Sequence, residues 1–294
     1  MTNRLPFVDK MEIPALKLRY FAYNCFEIKL PGGKTLVIDP CLEPEGDFVC
    51  GYTERDLDAC DYVYVNHTHS DHIATLGKVY NWFEPTILAH AEVCRYLAEY
   101  FDIPYCQFFP FECGPSYDFG DFEIQIVPGL HNKIGKLRPS GKIDDADTLY
   151  VVKGMQKEFD NPLERKLQNM GTLYNYNFLL TLPNNLRIGF IAGAPGMQKL
   201  DESIWSKLHP DIIMVQRARW GYPNWKEQMV HTLEVTGARL MLPLHIEDAY
   251  SGTYDPEIYA QEANDLCAKQ GVYGRMMFLQ KAKWYEIKTG ISLG

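Results

Sequence analysis

Three imidazoles and a carboxylate fall within six residues of this chain: His67, His69, Asp71 and His72, in the run Val65-Asn66-His67-Thr68-His69-Ser70-Asp71-His72. Imidazole nitrogen and carboxylate oxygen are the side-chain ligands of choice for zinc and related divalent ions. In an extended segment the side chains at i and i+2 leave the same side of the backbone, so His67 and His69 can close on one ion. Asp71 and His72 then point elsewhere and could hold a second. Crowding three histidines would bring a solvated loop no folding benefit, so the run reads as metal-binding. The residues just before it, Asp61–Val65 (Asp-Tyr-Val-Tyr-Val), read as a short buried strand that delivers the histidines at its end.

The elements around that strand follow from hydrophobic period and turn residues. Leu18–Leu30, then Pro31-Gly32-Gly33, then the apolar run Lys34–Asp39 form a hairpin signature. Thr86–Ala89 reads as a strand, and His90–Tyr100 as a helix with Val93, Leu97 and Tyr100 on one face. A second hairpin is expected over Asp118–Val127 around Gly120-Asp121. A third pairs Tyr176–Leu182 with Leu186–Ala192 across Pro183-Asn184-Asn185. Asp211–Val215 is a further buried strand, and Met276–Ile287 supplies the last one. Asn224 caps a helix through Val235, closed by Gly237, and Asp255-Pro256 opens one that ends before Gly271. Residues 133–172 are polar and mixed in charge, with a weak helical pattern near Asn161–Asn169. They lack the apolar content for a core of their own and read as an insertion or lid between two halves of a single domain over 1–294. Strands, helices, an insertion, then strands and helices again fit two packed sheets with helices outside them.

Composition bounds the partners. The 294 residues are 46% hydrophobic, with 15 Phe, 19 Tyr and 5 Trp, which excludes a disordered chain. With 29 Lys+Arg against 38 Asp+Glu the formal charge is −9, giving no electrostatic footprint for nucleic acid or an anionic membrane. No apolar stretch is long enough for a membrane span. The start of the sequence lacks a signal core, and the eight cysteines form no C-x-x-C pair, so reduced thiols and a cytoplasmic address are expected.

The run His67-Thr68-His69-Ser70-Asp71-His72 resembles the H-x-H-x-D-H signature of the metallo-β-lactamase-fold superfamily, and further elements agree in order. Asp39-Pro40 resembles the Asp-Pro that precedes the signature. Gly129-Leu130-His131 resembles the third histidine element, Ile191-Ala192-Gly193-Ala194 the strand that the family follows with Gly-Asp, and Leu242-Pro243-Leu244-His245 the final histidine. The match runs from about Leu18 to Ile287, outside 133–172. The resemblance implies a four-layer αββα sandwich of the α/β class with metals at the sheet edges. His67, His69 and His131 would form one site; Asp71, His72 and His245 would form the other. The remaining histidines, His90, His209 and His231, read as structural or surface residues.

One departure matters. Where the family writes a bridging aspartate this sequence has Ala194, then Pro195, and alanine cannot ligate. The second site is therefore expected to be weaker, with one or two ions bound in all. Zinc is the first expectation, with manganese or iron as alternatives. The same departure counts against persulfide-dioxygenase relatives, and His69 counts against flavodiiron relatives, whose signature has glutamate there. The short loops and final P-x-H look most like the metal-dependent hydrolases that include L-ascorbate-6-phosphate lactonase. A divalent ion lowers the pKa of bound water toward about 7, so hydrolysis of a small ester, lactone or phosphoester is expected, with Asp71 orienting or deprotonating the water. Arg217 and Arg219, after the strand Asp211–Val215, could grip an anionic substrate group; the plainer reading is a surface pair bonded to local acids. The rival function is a metal- or ligand-binding protein without catalysis, motivated by Ala194. Oligomeric state is open, a homo-oligomer included.

Overall fold

The computed structural model describes residues 10–12, 16–42, 50–131, 151–152, 155–156, 161–193, 197, 199–216, 225–246, 255–287 and 290–292. Two seven-stranded sheets carry the architecture. The first runs through β2 (Leu16–Tyr20), β3 (Phe26–Lys29), β4 (Thr35–Ile38), β5 (Tyr62–Tyr64), β6 (Thr86–His90) and β7 (Phe108–Phe111), with β17 (Tyr285–Ile287) beside β2. The second runs through β8 (Ser116–Asp118), β9 (Glu123–Pro128), β12 (Tyr176–Thr181), β13 (Arg187–Ile191), β14 (Ile212–Gln216), β15 (Leu240–Leu244) and β16 (Arg275–Met276). Two separate ribbons pair β1 (Lys10–Glu12) with β18 (Gly290–Ser292) and β10 (Val151–Val152) with β11 (Met155–Gln156). The helices are α1 (Ser70–Ile73), α2 (Leu76–Phe83), α3 (Ala91–Phe101), α4 (Pro162–Leu173), α5 (Lys199–Leu208), α6 (Trp225–Thr236) and α7 (Pro256–Gln270).

Both sheets are built the same way. Each opens as an antiparallel meander, β2-β3-β4 or β8-β9-β12-β13, and continues as parallel strands, β4-β5-β6-β7 or β13-β14-β15-β16. Parallel strands covered on both faces should be apolar on both, because each successive side chain enters a different layer. Leu36 and Ile38 of β4 enter the core between the sheets, while Val37 points to the outer layer under the helices. Phe178 and Leu180 of β12 likewise join the central core, and Leu179 lies under the helices of the other half. Leu76 and Val79 of α2, Val93 and Leu97 of α3, and Leu167 and Met170 of α4 cover the first sheet. Trp205 of α5, Met229 and Leu233 of α6, and Ala263 and Cys267 of α7 cover the second. The result is the αββα sandwich.

The expected strands and helices are present among the described residues with two corrections, while the expected cap Asn224 lies outside the described residues. Leu18–Leu30 is two strands, β2 and β3, because the chain turns back at 21–25, where Tyr23 takes a left-handed φ of 50°. Met276–Ile287 is not one strand. Met276 ends β16 in the second sheet, and Tyr285 begins β17 in the first, antiparallel to β2. The polar stretch Gln280-Lys281-Ala282-Lys283 lies between them, with Ala282 at φ 56°, and breaks the extended run so that the chain crosses from one sheet to the other. Among the described residues, no helix is long and apolar enough to cross a membrane.

Candidate metal centre

The parallel strands of each sheet point their C-terminal ends to the same edge, and the candidate residues lie in the loops that leave it. Beyond β5 the chain bends at Asn66, passes through His67 and Thr68 outside any regular element, then closes into the single turn of α1. The carbonyl of His69 accepts from the amides of His72 (2.9 Å) and Ile73 (3.2 Å), which makes His69 the cap of that turn. This abrupt change from strand to helix spreads four candidate ligands around one point instead of along a line.

Each imidazole of the loop is oriented by a neighbour. Nδ1 of His67 donates to Oδ1 of Asn66 at 2.7 Å, which leaves Nε2 as the lone-pair nitrogen. Nδ1 of His72 donates to Oδ2 of Asp39 at 2.8 Å. Asp39 follows β4 with a left-handed φ of 42°, and its Oδ1 accepts the backbone amide of Asn66 at 2.7 Å. This carboxylate therefore ties the ends of β4 and β5 together while aiming His72. Burial raises the Asp39 carboxyl above its usual range, against the lowering effect of His72 and the bonds from Asn66 and Asn24.

The other two histidines come from the second sheet. His131 follows β9 after Gly129, whose amide donates to the Asn175 carbonyl at 2.9 Å; a Cβ on Gly129 would lie 2.4 Å from Nδ2 of Asn175. The two sheets are pinned together here, since the Tyr176 amide donates to the Asn66 carbonyl at 3.1 Å and the Tyr64 hydroxyl donates to the Tyr176 carbonyl at 2.9 Å. His245 follows β15 with φ 53°, an unusual conformation for a residue with a Cβ. Its amide donates to the Tyr23 carbonyl at 2.7 Å and its ring sits edge-on to the Tyr23 ring at 5.1 Å. Two left-handed residues, Tyr23 and His245, thus hold each other in place at the site.

The six residues converge as two groups. His67, His69 and His131 bring ligand atoms within 4.8 Å of one another, and so do Asp71, His72 and His245; Asp39, His67 and His72 meet the same criterion. Ring centroids lie 4.7 Å apart for His67 and His69, 4.8 Å for His67 and His131, and 4.5 Å for His69 and His131. The groups adjoin, with the His67 and His72 rings at 3.7 Å. Oδ2 of Asp71 accepts from Nε2 of His245 at 2.8 Å and lies 3.6 Å from Nε2 of His72.

The donor chemistry fits a divalent cation. Burial, reinforced by the neighbouring imidazoles, pushes the His67 and His69 rings well below the ordinary histidine range, so both are held in the neutral form that ligates. Burial alone would raise Asp71, but His72 and the hydrogen bond from His245 hold its carboxyl well below the usual carboxylate range, hence ionised. Nε2 of His67 is buried and has no hydrogen-bond partner, which is costly for a polar atom unless a ligand meets it.

Other expectations resolve less evenly. His90 is the cap of α3, its Nδ1 accepting the Glu92 amide at 3.3 Å, and is stacked on Tyr176 at 4.3 Å. His231 is exposed on α6 beside Glu202 at 2.9 Å. Ala194, Arg217 and Arg219 lie outside the described residues, as does most of the 133–172 stretch. The last part of that stretch is α4, which packs on the histidine loop: Oγ1 of Thr68 donates to the Leu167 carbonyl at 2.5 Å, and Oε1 of Gln168 accepts the Ser70 amide at 3.2 Å. Sequence reasoning named neither Asn66 nor α4 as part of the site. The signal for α4 was present in Asn161-Pro162, a cap followed by proline at the first helical position.

Residues 17–160 match the sequence profile of the β-lactamase superfamily domain. The chain is 31% identical over 110 residues to a metal-dependent hydrolase of Enterococcus faecalis, covering 37% of this chain and 46% of that protein. It is 29% identical over 170 residues to one of Pyrococcus horikoshii, covering 53% of this chain and 72% of that protein. The first of these matches spans about half the relative's length. Among solved structures, a metallo hydrolase from Ignicoccus hospitalis superposes with TM-score 0.59 at 14% identity, over 93% of this chain and 98% of that one. The metallo-β-lactamase fold protein of Bacillus subtilis gives 0.59 at 14% identity, over 93% and 100%.

Proposed function

From the match of residues 17–160 to the β-lactamase superfamily domain and the likeness to metal-dependent hydrolases, we propose that this chain is a metal-dependent hydrolase of small-molecule substrates. His67, His69 and His131 would hold one ion, and Asp71, His72 and His245 the other. The observation that carries the reading is the meeting of loops from both sheets at one edge around the unbonded, buried Nε2 of His67. The name metal-dependent hydrolase carried by both relatives supports the reaction class and specifies no substrate.

When bound, a divalent ion supplies Lewis acidity and lowers the pKa of water toward neutrality. Zinc suits the three-imidazole set best, with manganese or iron as alternatives. The residues themselves divide the remaining work. Asp71, whose ionised form is favoured by His72 and the hydrogen bond from His245 against the cost of burial, orients or deprotonates the attacking water through its carboxylate. His245 fixes that carboxylate through the Nε2–Oδ2 bond, and Asp39 keeps Nε2 of His72 aimed at the same oxygen. Arg217 and Arg219 are the proposed grip on an anionic ester, lactone or phosphoester group.

The test begins with elemental analysis of protein loaded with Zn²⁺, Mn²⁺ or Fe²⁺, followed by hydrolysis assays on a chromogenic phosphodiester and a simple lactone. Bound ion and turnover with at least one metal are expected. Absence of bound ion from the intact chain would overturn the reading. A second reading, a binding protein without catalysis, follows from Ala194. It is favoured by bound ion with no turnover in either the wild type or Ala194→Asp. Turnover only in Ala194→Asp would identify the alanine as the disabling residue.

A further inference from the structure

Helix α4 presents two groups to one imidazole. Thr172 Oγ1 lies 3.1 Å from Nε2 of His69, and the backbone carbonyl of Gln168, one turn earlier, also hydrogen-bonds that ring. The helix touches the same loop at further points. Nε2 of Gln168 donates to Oγ of Ser70 at 2.8 Å, and its Oε1 accepts the Ser70 amide at 3.2 Å. Gly171 lies so close that a Cβ there would be 2.6 Å from Cδ2 of His69 and 2.9 Å from its backbone nitrogen. No other helix of the fold is joined to the histidine run by side-chain hydrogen bonds of this number among the described residues.

An imidazole that gives one nitrogen to a cation must carry its hydrogen on the other, and the partner of that hydrogen fixes tautomer and ring angle. We propose that α4 positions the metal centre: Thr172 Oγ1 receives the Nε2 hydrogen of His69, making Nδ1 the ligand atom of that ring. Thr172 is a positioning residue, and the inference rests on the hydrolase reading above. It extends that reading, because it makes α4 part of the metal-holding machinery. Displacing this helix loosens His69.

The experiment reads metal binding, not turnover. Dissociation constants for Zn²⁺ and Co²⁺ are measured by chelator competition in wild type, Thr172→Val and Thr172→Ser, with the visible spectrum of the Co²⁺ form recorded for each. Thr172→Val should bind about 10- to 100-fold more weakly and shift the spectrum, while Thr172→Ser, which keeps the hydroxyl, should return to within a few-fold of wild type. In parallel, long-range ¹H–¹⁵N correlation on Zn²⁺-loaded wild type reads the His69 tautomer directly, so a variant that fails to fold does not decide the matter. Wild-type affinity in Thr172→Val, or a hydrogen on Nδ1 of His69, overturns the positioning role while leaving the hydrolase reading intact. A wild type that binds neither ion removes both.

Discussion

At the scale of single residues, the site buries polarity that the protein's own groups leave poorly compensated. His67 is packed among other imidazoles and held neutral by burial, with Nδ1 bonded to Asn66 and Nε2 bonded to nothing. A buried nitrogen left without a partner costs on the order of 1–3 kcal/mol, an expense retained only where a ligand restores it. His67→Ala and His69→Ala should therefore each lose most of the bound metal in elemental analysis, and full metal content in either would refute the first cluster. Asp39 is the counterpart on the second cluster. It is fully buried, bonds the Asn66 amide with one oxygen and His72 with the other, and sits at a positive φ that asparagine also tolerates. Asp39→Asn keeps the shape but lets an amide face Nδ1 of His72, freeing the ring to adopt the other tautomer. Chelator competition should then show the weaker of two ions bound about 10- to 100-fold less tightly, with the stronger one changed little. Equal weakening of both ions would mean that Asp39 supports the loop as a whole and not His72 in particular.

Elements explain what the sequence made legible and what it hid. Strands β3, β4, β5, β12 and β13 and helices α3 and α7 carry their own signals: short apolar runs, turn residues at Pro31-Gly32-Gly33, an Asp255-Pro256 start and a Gly271 stop at φ 73°. The histidine run was legible because its ligands crowd into six residues, and His131 and His245 because of their order in a known pattern. The orienting partners were not, since Asn66, Gln168 and Thr172 act through backbone geometry and contacts about a hundred residues apart in sequence. Nor did composition mark 162–173 as part of the core, because only Leu167, Gln168, Met170 and Gly171 of α4 are buried. The tightness of that contact is testable. Gly171→Ala inserts a methyl that cannot be accommodated without moving either the helix or the His69 backbone. The cost should be about 1–3 kcal/mol by urea denaturation, typical of overpacking, with metal affinity lowered in the same variant. An alanine variant as stable as wild type, as helix propensity alone would allow, would show that α4 does not press on His69 in solution.

For the whole molecule, the two halves are the same construction used twice, and the candidate ligands are divided between them. The first sheet contributes His67, His69, Asp71 and His72; the second contributes His131 and His245. Separating the sheets disperses the cluster, so protonation of its imidazoles is linked to global folding. In the folded, metal-free chain His67 and His69 are held well below the ordinary value near 6.5, while in the unfolded chain they titrate normally. The unfolded state thus binds more protons below about pH 6.5, and stability present above that pH is lost as it falls. Each such histidine can contribute a slope of up to about 1.4 kcal/mol per pH unit. In the presence of a chelator, the urea midpoint of wild type should drop clearly between pH 7.5 and pH 5.5. A His67→Gln/His69→Gln double variant, which has nothing to protonate at these positions, should drop much less, and the difference between the two isolates the imidazoles from other titrating groups. Parallel pH profiles in the two proteins would mean that these rings take up protons in the native state as readily as in the unfolded one, and the dry, neutral pocket that both clusters require would not exist in solution.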